Sequence, residues 1–287
     1  MRSLYLLGFF ALAAPAAAQT GRMLPGDPSL YYETVGERGP LVVVLHGGPG
    51  LPHDYLRPEW DRLAEGARVV YYDQRGCGRS GRTPPYGWRA HIFDLDRMLA
   101  ALSPQEPVVL AGSSWGPMLA LYYALAHAER VRALVLSGLT QAVTWGGQPL
   151  DRAFRARYPV ARWDAVNRGL LPVTPTPVPD TMMDPRLRPR VREYCGDVHG
   201  IISMSWPDAP GFEEFRAIRV PTLVLRGGDP KIRAMDAGAR LARKLKHARV
   251  ATIPGAGHDP WLDRPAAFFE AVLAFLGEVA PPARAAP

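Results

Sequence analysis

The stretch Gly112-Ser113-Ser114-Trp115-Gly116 decides the fold of this chain. It follows the apolar run 107–111 and leads into a longer apolar segment, 118–127. A short apolar run, a glycine-flanked turn and a longer apolar segment indicate a strand, a sharp turn and a helix. Glycines flank the turn because a Cβ at either position would clash within it. The pattern therefore predicts that the Ser114 hydroxyl stands above the edge of a sheet, beside a helix N-terminus.

A second glycine-rich turn, His46-Gly47-Gly48-Pro49-Gly50, directly follows the apolar run 41–45. A serine that attacks a carbonyl needs two backbone N–H groups to stabilise the resulting oxyanion. We expect one donor from Trp115, because it follows the serine in the turn. We expect the other from Gly48, with Gly47 as the alternative, because neither has a side chain to block the approach. An ordinary Gly-Pro turn is the competing interpretation.

A serine hydroxyl also needs a general base, which follows the serine and the acid in the chain order typical of this strand–turn–helix pattern. His258 lies in a loop after the strand-like run 249–253, where parallel sheets hold functional groups. His247 lies at the polar end of a predicted helix, and we interpret it as a surface residue. The sequence therefore predicts His258 as the base.

The carboxylate that orients the base is expected at the end of the preceding strand. The run 221–225 predicts that strand, and Asp229 follows it in a Gly-Gly-Asp turn. Asp229 is therefore the predicted acid, with an ordinary turn aspartate as the competing interpretation. Three weaker candidates for the acid are Asp236, Asp259 and Asp263.

Composition argues against several classes of protein. The chain has 287 residues, 47% of them hydrophobic, which suffices for one α/β domain with an insertion. The net charge is +7, but the arginines that dominate it are scattered rather than grouped on one face. We therefore expect no nucleic-acid partner.

Cys77 and Cys195 lack the company of metal-ligating residues, so we expect neither a metal nor another cofactor. We expect two unpaired thiols, although the sequence leaves a disulfide open.

The N-terminus has the features of a secretory leader. Arg2 precedes the apolar stretch 4–14, and Ala16-Ala17-Ala18 offers a cleavage site. We therefore expect residues 1–18 to be a signal peptide and the protein to be secreted or periplasmic. The apolar stretch is short for a membrane span, so stable membrane insertion is not expected. An uncleaved N-terminal anchor is the alternative.

Strand-like and helix-like runs alternate through most of the chain, which predicts a parallel sheet covered by helices on both faces. The alternation stops over 139–218, a stretch rich in tryptophan and proline. We expect this stretch to form a cap above Ser114. The predicted class is thus an α/β-hydrolase fold, a mostly parallel doubly wound sheet with an inserted cap domain. Its core would comprise 19–138 and 219–280.

Three motifs resemble the proline iminopeptidase family of α/β-hydrolases. They are 46–50, 112–116 and the run Asp73-Gln74-Arg75-Gly76-Cys77-Gly78-Arg79-Ser80. The resemblance extends over 29–138 and more loosely over 218–276. It implies Ser114 as nucleophile, Asp229 as acid and His258 as base, with an oxyanion hole formed by the Gly48 and Trp115 amides.

The resemblance also implies release of an N-terminal residue, often proline, from short peptides whose free amine is held by carboxylates of the cap. The chain departs from the family pattern in two places: the acid turn is one residue shorter, and the cap is short. The expected substrate-binding carboxylates are Glu193, Asp197 and Glu213, with Glu214 beside them and His199 as a possible replacement.

We therefore expect a serine hydrolase that works through an acyl-enzyme, as an aminopeptidase acting on short peptides. An esterase or lactonase acting on small carboxylic esters with the same triad is the alternative. A receptor or scaffold built on the same fold is a third possibility, because a fold alone does not determine function. The oligomeric state is left open.

Overall fold

Eight strands form one mixed sheet in the computed structural model of the chain, which describes residues 21–139, 158–180, 183–205, 209–211, 213–233 and 237–280. The strands follow the order β1-β2-β4-β3-β5-β6-β7-β8 across the sheet. Strands β3 to β8 run parallel, whereas β1 and β2 are antiparallel to their neighbours. In chain order the strands are β1 (Arg22–Leu24), β2 (Leu30–Val35), β3 (Leu41–Leu45), β4 (Arg68–Tyr72), β5 (Val108–Ser113), β6 (Val131–Ser137), β7 (Thr222–Gly227) and β8 (Ala248–Ile253).

Helices connect the parallel strands. In the described part of the chain the α-helices are α1 (Trp88–Leu102), α2 (Gly116–Ala126), α3 (Val160–Asn167), α4 (Gly196–Ser205), α5 (Pro230–Arg233), α6 (Gly238–Ala242), α7 (Pro260–Asp263) and α8 (Pro265–Val279). Between β3 and β4 the chain forms two 3₁₀ helices, His53–Leu56 and Glu59–Glu65.

The sheet is buried on both faces, as the sequence predicts. Along β3, Val43 and Leu45 pack into a core that includes side chains of α1 and α2. Val42 and Val44 point the other way, into a core built with α8 and the 3₁₀ helix 59–65. Alternate residues of a strand face opposite sides, so a strand covered on both faces has an unbroken apolar run. This confirms the predicted architecture of a mostly parallel sheet covered on both faces.

The segment expected to be a cap is described in part. Helices α3 and α4 pack together where Trp163 lies against Gly200, at which a Cβ would lie 2.1 Å from the indole. Trp145 and Trp206, two of the tryptophans that suggested the cap, lie outside the described residues, as does the expected leader 1–18. No helix in the described ranges is long and apolar enough to cross a membrane.

Candidate active site

Ser114 lies in a strained turn between β5 and α2. Its φ is +61°, and it is the only residue other than glycine with a positive φ in the described part of the chain. Residues other than glycine rarely adopt this left-handed backbone conformation unless the surrounding structure enforces it. A Cβ on Gly116 would lie 2.0 Å from the Leu45 carbonyl oxygen, and one on Gly112 would lie 2.6 Å from the carbonyl carbon of Gly116. Both flanking glycines are therefore required by close packing.

The glycine turn after β3 lies directly against Ser114. A Cβ on Gly47 would lie 2.8 Å from the Ser114 Cβ. The Gly47 amide donates a hydrogen bond to the Tyr55 hydroxyl at 2.7 Å. The Gly48 amide has no hydrogen-bond acceptor within the described residues, and its φ is +117°. Of the two candidate donors in this turn, Gly48 is therefore the one whose amide is available for an oxyanion.

His258 follows β8 in a loop that packs on the end of β6. Gly138, the residue after β6, has a φ of +66°, and a Cβ there would lie 2.8 Å from the His258 carbonyl oxygen and 3.3 Å from the His258 Cε1. The Gly257 amide donates a 2.7 Å hydrogen bond to Asp263 Oδ2. The loop that carries the predicted base is thus fixed on both sides.

Asp229 lies at the end of β7, beside the same loop. Its backbone amide donates to the Ala256 carbonyl at 3.0 Å, while its carboxylate accepts a hydrogen bond from the Lys231 amide at 2.8 Å. Among the hydrogen bonds of the described residues, none joins Asp229 to the His258 ring or that ring to Ser114. In unliganded enzymes such catalytic hydrogen bonds are often long and form only with bound substrate. The fold therefore brings the three loops together without linking their side chains.

A cavity of about 330 Å³ contains Ser114, His258 and Gly48 in its wall. Leu51 and Leu187 contribute apolar surface to the same wall. Three carboxylates also line this cavity, from the cap and from the residues that follow His258: Asp184, Asp259 and Asp263. The opening beside Ser114 is therefore small, partly apolar and acidic.

Two of these carboxylates share one cation. Arg186 lies 2.6 Å from Asp184 and 2.5 Å from Asp263, so it joins the cap to the segment after His258. The hydrogen bonds from Arg186 lower the pKa of Asp184. This pairing neutralises part of the acidic wall.

Asp259 is different, because it forms no ion pair with lysine or arginine in the described ranges. Burial raises the pKa of Asp259, nearby His258 opposes this effect, and the negative charges of Asp184 and Asp263 reinforce it. A carboxylate desolvated in this way is stabilised by a cation. The cavity wall thus favours a positively charged group close to Ser114.

The substrate-binding carboxylates expected from the sequence lie elsewhere. Glu193 pairs with Arg82, Asp197 with Arg162 at 2.7 Å, and Glu213 with Lys244 at 2.6 Å. None of the three lines the cavity.

The two neighbouring candidates also have local partners. Glu214 accepts a hydrogen bond from the Gly211 amide at 3.0 Å. The His199 ring lies 3.2 Å from the Pro49 carbonyl oxygen, next to the glycine turn. Sequence reasoning considered Asp259 and Asp263 only as possible acids, and it missed Asp184. In the described part of the chain, no group of three or more His, Cys, Asp or Glu side chains is arranged to hold a metal ion.

Comparison with known proteins identifies the family of the chain. Residues 40–265 match the family described as alpha/beta hydrolase fold. The proline iminopeptidase of Saccharolobus solfataricus is 25% identical over 88% of this chain and 90% of its own length. The proline iminopeptidase of Lactobacillus helveticus is 34% identical, but the match covers 49% of this chain and 50% of that enzyme. The chain is thus similar to proline iminopeptidases over most of its length and more strongly over about half of it.

Solved structures show the same fold. A thermophilic esterase from Thermogutta terrifontis superimposes with a TM-score of 0.65 over 92% of this chain and 99% of that chain, at 22% identity. At this identity the likeness concerns the fold alone.

Proposed function

The chain belongs to the α/β hydrolase fold family, and from this premise we propose that it is a serine hydrolase with Ser114 as nucleophile. The observation that carries the proposal is the strained conformation of Ser114, with a φ of +61°, in a cavity wall shared with His258 and Gly48. Strain of this kind is retained where it serves a function, here the exposure of a hydroxyl.

In the proposed reaction the Ser114 hydroxyl attacks a substrate carbonyl while His258 takes its proton. The Gly48 and Trp115 amides stabilise the oxyanion that forms. His258 then protonates the leaving group, which departs from an acyl-enzyme. Water, activated by the same histidine, releases the acid product. Asp229 keeps the imidazole in the required tautomer and stabilises its cation.

We propose that the substrate is a short peptide and that the enzyme releases N-terminal proline or another small residue. Two observations support an aminopeptidase. The cavity of about 330 Å³ has room for one small residue, and the partly desolvated carboxylate of Asp259 lies in its wall. The primary or secondary ammonium group of a peptide N-terminus would offset the desolvation of that carboxylate. The similarity to proline iminopeptidases points the same way.

An esterase or lactonase with the same triad is the second candidate. It is favoured by the positions of Glu193, Asp197 and Glu213, each of which is already paired with an arginine or lysine outside the cavity. Because these carboxylates already form ion pairs within the protein, they are less available to bind a free amine than the resemblance implies.

The deciding experiment compares a prolyl anilide, its N-acetyl derivative and a short p-nitrophenyl ester as substrates of the purified protein. An aminopeptidase cleaves the free prolyl anilide and loses this cleavage on N-acetylation, because a buried carboxylate is then left unpaired. Ester cleavage without anilide cleavage supports the second candidate and contradicts the first.

Two controls test the serine hydrolase itself. Ser114→Ala must abolish each activity, and full turnover by this variant would overturn the mechanism. A fluorophosphonate probe must label Ser114 whatever the natural substrate is. Absence of labelling would favour a receptor or scaffold on the same fold.

A further inference from the structure

Gln74 lies between the two segments that carry the proposed oxyanion donors. It follows β4, whose C-terminal end lies beside that of β3, and β3 in turn neighbours β5. Its side chain is buried, with 1% of its surface exposed. A buried amide must have its donors and acceptors satisfied, so the partners of Gln74 reveal what the residue holds in place.

The two ends of the Gln74 amide bind different segments. Nε2 donates to the His46 carbonyl oxygen at 3.0 Å, at the start of the glycine turn that contains Gly48. Oε1 accepts a hydrogen bond from the Trp115 indole at 2.9 Å. One planar group therefore links the glycine turn to the residue whose backbone amide is the second proposed donor.

A third contact fixes Gln74 itself. Its backbone amide donates to His46 Nε2 at 2.9 Å, so that nitrogen is an acceptor and the imidazole proton lies on Nδ1. Nδ1 lies 3.0 Å from the Gly47 carbonyl oxygen. Burial lowers the pKa of His46 to about 4, so the imidazole is neutral and this arrangement persists at neutral pH. The glycine turn is thus attached to Gln74 through both the backbone and the side chain of His46.

We propose that Gln74 is a positioning residue that sets the separation of the Gly48 and Trp115 amides and thereby the fit of the oxyanion. This inference rests on the proposed serine hydrolase mechanism. Oxyanion stabilisation depends on donors already in place where charge develops, so a small change in their separation weakens the transition state more than substrate binding. Gln74 itself does not touch the substrate.

The test uses the full-length protein with two substitutions that break the link at different points. Gln74→Met keeps the side-chain length and removes both amide contacts. Trp115→Phe removes the contact to Oε1 and keeps both the backbone amide at position 115 and an aromatic ring beside His91 and Tyr122. Tyr123→Phe is the matched control, because it removes a 2.8 Å hydrogen bond from the Tyr123 hydroxyl in α2 to Asp96 in α1, and neither residue lines the cavity.

The readouts are the rate of Ser114 labelling by a fluorophosphonate, kcat and KM for the substrate that is cleaved, and the affinity of a trifluoromethyl ketone that forms an oxyanion on the serine. We expect Gln74→Met to lower the labelling rate and kcat by about 10- to 100-fold, with KM changed less than about threefold. The ketone should bind more weakly by the same factor as kcat/KM falls. Tyr123→Phe should change the melting temperature without changing these values.

Gln74→Glu adds a test by rescue. An ionised carboxylate cannot donate to the His46 carbonyl, whereas a protonated carboxyl can. The activity of Gln74→Glu relative to the wild type should therefore rise as the pH falls. A purely structural role would change this ratio only as far as the folded fraction of Gln74→Glu changes with pH.

The proposal is overturned if Ser114 is labelled at the wild-type rate in both Gln74→Met and Trp115→Phe, or if KM and kcat change together in step with the melting temperature. If Gln74→Met does not fold, Trp115→Phe decides the question by the same readouts. Failure of the wild type to react with the probe would instead overturn the serine hydrolase mechanism and remove the Gln74 proposal with it.

Discussion

The Tyr55 hydroxyl accepts a 2.7 Å hydrogen bond from the backbone amide of Gly47. Tyr55 is buried and belongs to the 3₁₀ helix His53–Leu56, so this bond ties the glycine turn to a rigid element. Because the Gly47 amide is occupied in this way, the turn presents the next amide, that of Gly48, to the cavity.

We therefore expect Tyr55→Phe to impair catalysis and stability together. The Gly47 amide would lose its acceptor in a buried place, which costs about 1–3 kcal/mol in the free energy of unfolding. The turn would also be free to rotate, so kcat should fall by about tenfold or more while KM changes little. Urea denaturation and steady-state kinetics measure the two effects. Unchanged kcat in a destabilised variant would show that the bond does not help to orient the oxyanion donor.

Asp229 and Asp259 should have different roles, which substitutions can separate. Asp229→Asn is expected to lower kcat for anilide and ester alike, by as much as about 10⁴-fold, because the imidazole loses its orienting carboxylate. Asp259→Asn is expected to raise KM for prolyl anilide and to leave ester hydrolysis nearly unchanged. Steady-state kinetics with both substrates compares the two variants. If Asp259→Asn abolishes ester turnover and Asp229→Asn does not, Asp259 is the acid of the triad.

His53 should make stability depend on pH. Its Nδ1 lies 2.7 Å from Asp73, and its Nε2 lies 3.7 Å from Glu33. Burial opposes a charge on the ring, but the hydrogen bond with Asp73 and the nearby carboxylate of Glu33 outweigh burial and raise the pKa of His53 from 6.5 to about 9. The folded state therefore favours the protonated ring, and this stabilisation is fully present below pH 6.5 and is lost as the pH rises through about 9.

The size of that loss is on the order of 3 kcal/mol in the free energy of unfolding. Urea denaturation at pH 6, 7.5 and 9.5 should show it in the wild type. His53→Gln carries no titrating group at this position, so the decline over the same pH range should be much smaller. An equal decline in both proteins would assign the pH dependence to other groups.

The strained backbone of Ser114 should lower the stability of the folded protein. A residue with a Cβ is disfavoured in the left-handed conformation by about 1 kcal/mol, whereas glycine adopts it freely. Ser114→Gly should therefore raise the melting temperature by about 2 °C and abolish activity. Ser114→Ala keeps the Cβ, so it should lose activity without this gain. Equal melting temperatures of the two variants would contradict the assignment of strain to this turn.

Much of the fold is encoded locally. The apolar run 41–45 predicts β3 (Leu41–Leu45) with the bounds that the structure has, because a strand buried on both faces is apolar without interruption. Strand β1 (Arg22–Leu24) was not predicted, since it has three largely exposed residues and no apolar run. Antiparallel pairing with β2 holds these three residues in an extended strand.

In the candidate site, too, the sequence could predict the features encoded locally but not the pairs formed between distant residues. The conformation of Ser114 follows from its own glycines, so the sequence could predict it. The surroundings of Glu193 and Asp197 depend on partners far along the chain, Arg82 at a separation of 111 residues and Arg162 at 35. No local pattern encodes these pairs. The same holds for Asp184, which reaches the cavity wall beside Asp263 through their shared contact with Arg186.

Gly138 limits how this enzyme can be rebuilt. Gly138 lies where the chain leaves the sheet, just before the stretch expected to form the cap. Because it has no side chain, it leaves room for the backbone of His258. A Cβ on Gly138 would lie 2.8 Å from the His258 carbonyl oxygen. A chimaera that takes its cap from a relative must therefore place the junction after Gly138. A junction one residue earlier that introduces a side chain would displace His258, the proposed base, even if the transplanted segment folded correctly.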